Sequence, residues 1–450
     1  MLLIQQNLCH YSAMKKAITL GLISLATASS SFAYSAQGHE GIAEFAHTHV
    51  NDQTRNILDK YFLSNNAFIN KLNTMNGKSV DASSHAAGAH PVPIMIPADN
   101  LGKIAVWADD LKFSLRRMAG TPLLGDKMAA AFNNNFKDNG DWHFLNLPLD
   151  LNIFSENSHF NPNQTNVADA IQGAINVLEG RPSGYASAAN GNVEFTKIQA
   201  LHLIVHLVGD IHQPLHVGSG YYQLPAVHGS SATISVNDEV LVTDPSLVFN
   251  NGKLLPSDIG GNSVHFSASQ ELHALWDDQL VQNYAGTTNK DSHVLAEAIA
   301  NNVTDVNDSR FTTVDQNGQP ISDYHRWAAA WATDSVHAAK QVYSGLTFNS
   351  VVLSPQGGIA SILVTKDASY ESDHAAAAAI QLEKAGAHLT QLLNSIHWDL
   401  TNIKDNTADP VGSSTTSVPS ASTRAPAPSP SGRRRRASPL PPAPIGPNGV

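Results

Sequence analysis

The sequence predicts a mainly α fold, a compact multi-helix body with a short β-hairpin insertion. Three observations predict it. Apolar residues recur at three- and four-residue spacing through most of the chain. Gly and Pro punctuation falls between those stretches. One internal region alternates instead, as strands do. The chain has 450 residues, 42% of them hydrophobic and 14% charged, a globular composition with room for a large core.

Taken in order, the helical spacing covers 39–62, 99–119, 165–180, 194–213, 267–284, 291–306, 322–344 and 373–399. Residues 219–258 break the pattern. Within them Ala232 to Thr243 alternates and carries β-branched residues, which predicts a hairpin around Asn237-Asp238. A second strand-like stretch runs from Ile359 to Thr365. Neither reads as a domain of its own, and no internal repeat is present.

The two ends differ from the middle. Lys15-Lys16 precedes an apolar run, Ala17 to Ala26, and Ser31-Phe32-Ala33 is a small-x-small cleavage signal. Residues 1–33 are therefore expected to be an export signal, with Met14 as an alternative start, and the mature chain to be secreted or periplasmic. The apolar run is too short for a comfortable membrane span. The single cysteine, Cys9, lies in this leader, so no disulfide is expected in the mature chain. Residues 34–404 are expected to form the folded domain, with the insertion at about 219–258. Residues 405–450 are rich in Ser, Thr, Pro and Ala and carry Arg433 to Arg436, which predicts a disordered tail.

Formal net charge is −11, which by itself argues against a nucleic-acid partner, yet the chain holds 21 histidines. Several sit in informative places. His206 and Asp210 are four apart, so one helix face presents both. Pro214 then breaks the helix and lets His216 turn back toward the same point. His273 and Asp277 repeat the spacing on a second helix. Imidazole nitrogens and carboxylate oxygens converging from two helices suit zinc. Other pieces add to these. Cleavage after Ala33 would free the Tyr34 α-amino group, which with its own carbonyl can chelate a metal near Gly38-His39. Trp107-Ala108-Asp109 offers a carboxylate with Lys112 one turn on, Trp142-His143-Phe144 offers an imidazole beside aromatics, and Gly260-Gly261-Asn262 is a flexible turn ahead of His273.

With these motifs in this order, residues 34–397 resemble the trinuclear-zinc single-strand nucleases and 3′-nucleotidases. Gln381 to Leu389 also resembles that family's closing helix. The resemblance implies three Zn²⁺ per chain. Asp109, His143, His206 and Asp210 would hold the first, and His216, His273 and Asp277 the second. The Tyr34 backbone and His39 would hold the third, with Asp210 as a bridge. Three divalent ions outweigh three carboxylates, so the site would be positive inside an acidic protein and draw a phosphodiester. The resemblance further implies that Asp109 orients the attacking water, Lys112 stabilises the transition-state charge, and products carry 5′-phosphates. The implied partners are single-stranded DNA, single-stranded RNA and 3′-nucleotides, with no stable protein partner and a monomeric state expected.

Phe144 either stacks on a base or packs beside His143. Asn146 stands where several relatives carry an acidic residue that reads a base edge, and Asn262 is a further candidate substrate contact. Tyr34 replaces the usual tryptophan, His388 replaces a common arginine, and the segment from His216 to Gly260 is longer than usual, as if to wall the cleft. His202 and His212 have no matched metal role. Two alternatives stay open: a zinc-dependent phospholipase C, whose last ligand is typically Glu where this chain has Asp277, and an exported zinc-binding protein without activity.

Overall fold

The computed structural model describes residues 34–64, 66, 69, 100–116, 126–154, 165–185, 193–224, 233–250, 253–354 and 358–403. All of them belong to the unit Met1–Pro410. The leader and the tail from residue 405 lie outside the described residues. Among the described residues no helix is long and apolar enough to cross a membrane.

The chain opens with α1 (Ala36–His49) and α2 (Asp52–Ile57), the latter capped by the Asn51 side chain accepting from Thr54 N at 2.8 Å and running on as a π turn over Leu58–Leu63. The predicted segment 99–119 is two helices, α3 (Asn100–Ala105) and α4 (Trp107–Arg116). The spacing does not predict α5 (Asp126–Asn135), whose Ala-rich sequence has few large apolar residues to mark a face. A 3₁₀ turn at Asn139–His143 leads to α6 (Val167–Leu178) and α7 (Lys197–His212), and Pro214 opens α8 (Pro214–Val217). After α9 (Pro245–Val248), α10 (Leu272–Ala274) passes through a π turn, Leu275–Gln279, into α11 (Leu280–Ala285). The remaining helices, α12 (Ser292–Asn302), α13 (Trp327–Val342) and α14 (Tyr370–Ser395), fall where the periodicity puts them.

The strands depart further from expectation. β1 (Leu147–Pro148) pairs in parallel with β2 (Gly218–Ser219). β3 (Tyr221–Tyr222) pairs with β5 (Leu241–Val242), while β4 (Thr233–Ser235) pairs elsewhere. The hairpin expected around Asn237-Asp238 therefore does not form. The alternating run splits at a 3₁₀ turn, Asp238–Val240, and its halves join different sheets. The insertion does contain a short hairpin, between β6 (Phe249–Asn250) and β7 (Lys253–Leu254). β8 (Val264–Ser267) and β9 (Gln270–Glu271) occupy the start of the segment expected to be helical from 267. With β10 (Leu346–Leu353) and β11 (Ile359–Lys366) they complete a five-stranded sheet in the order β4-β10-β11-β8-β9. β11 is the strand read at Ile359 to Thr365.

α7 runs through the middle of the body. Every residue from Ile198 to His212 is buried, because Leu201, Ile204, Val205, Leu207, Val208 and Ile211 cover all sides of the helix. Thr196 and Gln199 form a capping box at its start, with bonds of 3.2 and 2.8 Å, which satisfies backbone donors that the core would otherwise strand. A helix apolar all round must be enclosed by others, and α7 shares one core with residues of α1, α3, α4, α6, α12, α13 and α14. His206 and Asp210 are thus held by a helix buried along its whole length from Ile198.

Candidate metal centre

α7 places His206 and Asp210 one turn apart with both side chains fully buried. Asp210 uses its two oxygens in two directions. Oδ2 lies 2.9 Å from His143 Nδ1 and 3.3 Å from His206 Nε2. Oδ1 lies 3.4 Å from His39 Nε2. Asp109, in the first turn of α4, brings Oδ1 to 3.8 Å from His206 Nε2 and 3.9 Å from His143 Nδ1. Its neighbour Asp110 is only half-buried, so Asp109 is the carboxylate of that pair that faces the histidines.

His143 reaches the centre because the aromatic residue before it is an anchor. Trp142 packs among Phe132, Phe136, Tyr185 and Phe195 with ring separations of 4.8 to 6.0 Å. The strand pair β1–β2 and the bond from Leu145 N to His216 O, at 2.7 Å, then lash the His143 and His216 segments together. The N-terminal segment arrives from the other side. Tyr34 is buried and donates from its hydroxyl to His212 O at 3.2 Å, and Ser35 N donates to Asp277 O at 2.9 Å. Gly38 lets Tyr34 fold onto α1, since a Cβ there would collide with the Tyr34 side chain.

A second group forms where α8 meets α10. His273 Nε2 lies 3.3 Å from Asp277 Oδ2 across the π turn, and the His216 and His273 rings are 4.9 Å apart. Gln213 Nε2 donates to Asp277 Oδ1 at 2.6 Å, which turns Oδ2 toward His273.

The residues fit a metal. His206, His216 and His273 each donate from Nδ1 to a backbone carbonyl: Ala105 O at 2.6 Å, His143 O at 2.6 Å and Gly260 O at 2.5 Å. Those bonds fix the tautomer and leave the Nε2 lone pair for a cation. Both nitrogens of His39, Oδ1 of Asp109 and Asp210, and Oδ2 of Asp277 are buried and make no hydrogen bond. Buried polar atoms left in that state are costly unless something coordinates them. Among the described residues, three groups have ligand atoms within 4.8 Å of one another: His39 with Asp109 and His206, His143 with His206 and Asp210, and His216 with His273 and Asp277. The first differs from the expected grouping, because His39 has Asp109 and His206 within 4.8 Å as well as the bridging carboxylate of Asp210 at 3.4 Å. All donors are nitrogen or oxygen, a set that borderline zinc accepts.

Electrostatics point the same way. Burial alone would raise Asp210, but His206 and His143 outweigh it and hold the carboxyl well below its usual range. Burial likewise lowers His206, yet Asp210 and Asp109 overcome this and lift it to about 9. Burial pushes His39 well below its ordinary value and Asp277 well above. The protein alone thus stabilises positive charge among Asp109, Asp210 and His206, where a divalent cation can replace protons.

Other expected residues fall as follows. Phe144 is half-buried beside His143. Asn146 has φ 63 and passes its carbonyl to the Tyr221 hydroxyl at 2.7 Å, which ties the insertion to the His143 segment. Asn262 Nδ2 donates to Ile259 O at 2.6 Å and lies 3.1 Å from His273 Nδ1, so it braces the turn. Lys112 is in α4, but its side chain lies outside the described residues. His202 meets Asn66 at 2.9 Å and His212 meets His388 at 2.7 Å, away from the ligand groups.

Sequence reasoning missed Gln213, Gly209, Asp258 and Ile259. Ile259 is 51% exposed on the turn before Gly260, with φ 57, a region a β-branched residue rarely adopts. Gly209 carried a signal, since a glycine inside a helix is destabilising and implies a packing reason. Here a Cβ would lie 2.6 Å from His39 Nδ1 and 2.9 Å from Cε1. Gly209→Ala is expected to displace His39, weakening any metal held through it by about 10–100-fold. The fold should survive, because alanine favours the helix by about 1 kcal/mol over glycine. Metal analysis beside a thermal melt checks this, and native metal content in the variant would exclude His39 as a ligand.

Comparison with known proteins adds to this geometry. Residues 34–397 match the family model described as S1/P1 Nuclease. A stretch of 209 residues is 22% identical to Endonuclease 2 of Arabidopsis thaliana, covering 46% of this chain and 52% of that protein. The chain thus spans about half the length of this curated relative.

Proposed function

As the chain belongs to the S1/P1 nuclease family, we propose that it is a zinc-dependent phosphodiesterase that hydrolyses single-stranded DNA and RNA to 5′-phosphate products, with 3′-nucleotidase activity on 3′-nucleotides. The main support is Asp210, a fully buried residue whose two oxygens face two different sets of histidines. A carboxylate so divided suits two metals, and the group of His216, His273 and Asp277 suits another. Zinc bound there would supply Lewis-acid polarisation of a phosphate oxygen and neutralise charge developing on the leaving oxygen.

The residues of the chain take the remaining roles. His206, His216 and His273 are pre-set by their backbone carbonyls, so no reorganisation is needed when substrate arrives. Asp109, with Oδ1 buried and free of hydrogen bonds, holds a proton of the attacking water. The water oxygen bonds to phosphorus, the P–O3′ bond breaks, and the displaced proton passes to the departing 3′-oxygen. Lys112 belongs to the same helix as Asp109 and is assigned the transition-state charge. Phe144 and Ile259 offer apolar surface for a base, while Asn146 and Asn262 offer polar edges. Stacking on such surfaces requires unpaired bases, which is the reason for single-strand selectivity. The leader motif supports export to the periplasm or medium, where removal of residues 1–33 would free the Tyr34 amine as a ligand.

The test is hydrolysis of denatured DNA, native DNA, RNA and a lecithin emulsion by purified enzyme, with and without chelator. Chelator-sensitive cleavage of denatured DNA and RNA, with 5′-phosphate ends, is expected. Release of phosphocholine with no nucleic-acid cleavage would replace this reading with a phospholipase. Turnover of none of them would leave a metal-binding protein.

A further inference from the structure

We propose that Asp258 is a positioning residue for the second metal group: its carboxylate clamps the neck of the insertion and, through the Gly260-Gly261 turn, sets the carbonyl that orients His273. The inference rests on reading His216, His273 and Asp277 as ligands of one metal.

Asp258 is fully buried, and its carboxylate accepts five hydrogen bonds. Oδ1 takes Ser219 Oγ at 3.0 Å, Gly220 N at 3.1 Å and Gly261 N at 3.0 Å. Oδ2 takes the hydroxyls of Tyr222 at 2.8 Å and Tyr343 at 2.9 Å. Its own amide donates to Gly220 O at 3.0 Å. Ser219 to Tyr222 begin the insertion and Asp258 ends it, so one side chain closes the whole excursion. Tyr343, from the end of α13, fixes that neck to the body. Five donors satisfy a buried carboxylate that would otherwise be strongly disfavoured.

The same acceptors reach the metal group. Ser219 Oγ, which donates to Asp258, accepts from Gly260 N at 2.9 Å. The Gly260 carbonyl in turn accepts from His273 Nδ1 at 2.5 Å. The turn has no slack. Gly260 has φ 61, and a Cβ there would collide with the Leu215 carbonyl, next to His216. Ile259 sits in the left-handed region, which is unfavourable for a β-branched residue and persists only where surrounding bonds over-determine it. The bonds to Asp258, together with Ser263 N to Asp258 O at 3.1 Å, supply that constraint. A long insertion tugging on its own neck would move Gly260 O, and with it the His273 ring, unless something held the neck shut.

Zinc titration against a chromophoric chelator, a thermal melt, and kcat and KM on a single-stranded oligonucleotide test this in the full-length enzyme. Asp258→Ala is expected to bind one zinc about 10–100-fold more weakly while the others keep native affinity. kcat should fall far more than KM rises. Asp258→Asn keeps an oxygen for Ser219, Gly220 and Gly261 and turns its NH₂ to the tyrosine oxygens, so it should restore affinity to within about threefold. Ser219→Ala removes the acceptor of Gly260 N with little change in volume, and it decides the matter if Asp258→Ala does not fold. Selective weakening of one zinc in Ser219→Ala is the expected result. Native affinity for every zinc in Ser219→Ala, or a uniform loss of all of them, overturns the proposal. A wild-type protein with no zinc at this group overturns the metal reading itself, an outcome distinguishable by the count before any substitution.

Discussion

Asp210→Asn is expected to reduce turnover by about 10³-fold or more, on the order of 4 kcal/mol of transition-state stabilisation. It should also lower bound zinc by two ions per chain. The reason is the division of its carboxylate, with Oδ2 toward His143 and His206 and Oδ1 toward His39. An amide offers one neutral oxygen in place of two that share a charge, so it cannot serve both sides. Asp110→Asn provides the contrast. Asp110 is half-buried and acts electrostatically on Glu40, so its loss should change turnover by less than about threefold, the scale of a surface substitution. Metal analysis and steady-state kinetics on both variants check the pair. Equal losses at the two positions would reverse the assignment of the carboxylate that faces the metals.

Chelation is the second large effect. Removing zinc should abolish activity and lower the melting temperature by several degrees. A ligand bound only to the folded state at about a thousand times its dissociation constant contributes about 4 kcal/mol, and more than one site adds to this. Without metal, His39, Asp109, Asp210 and Asp277 keep buried atoms with no hydrogen bond, and a chain whose single cysteine is Cys9 has no internal cross-link to compensate. Rebinding should weaken as pH falls. His206 stays protonated up to about 9 in the metal-free protein, and burial raises Asp277, so metal must displace protons that acid supplies more readily. Calorimetry before and after readdition of zinc measures both effects. Full activity with fewer than two zincs per chain would remove the trinuclear reading.

Much of the helical body was legible because burial imposes a 3.6-residue period, and α1, α6, α7, α12, α13 and α14 each carry it. β10 was not legible, and a bulge explains why. Its register shifts between Phe348 and Ser350, which breaks the alternation that marks a strand. The alternation of Ala232 to Thr243 was legible as extended chain but not as pairing. Ile234 lies opposite Val351, more than a hundred residues away, and period two carries no information about the partner.

The sequence by itself determined which side chains can gather at the centre. His206 and Asp210 share a helix face by spacing alone, Pro214 turns the chain back to bring His216 in, and His273 and Asp277 repeat the pattern, because helix geometry converts spacing into direction. Only the tertiary structure decided how each group is used. It split the oxygens of Asp210 between two sets of histidines, and assigned Ala105 O, His143 O and Gly260 O as the acceptors that fix three imidazoles. It also exposed the need for Gly209 and Asp258. Those choices depend on atoms brought together from segments far apart in the chain, and local periodicity does not encode them.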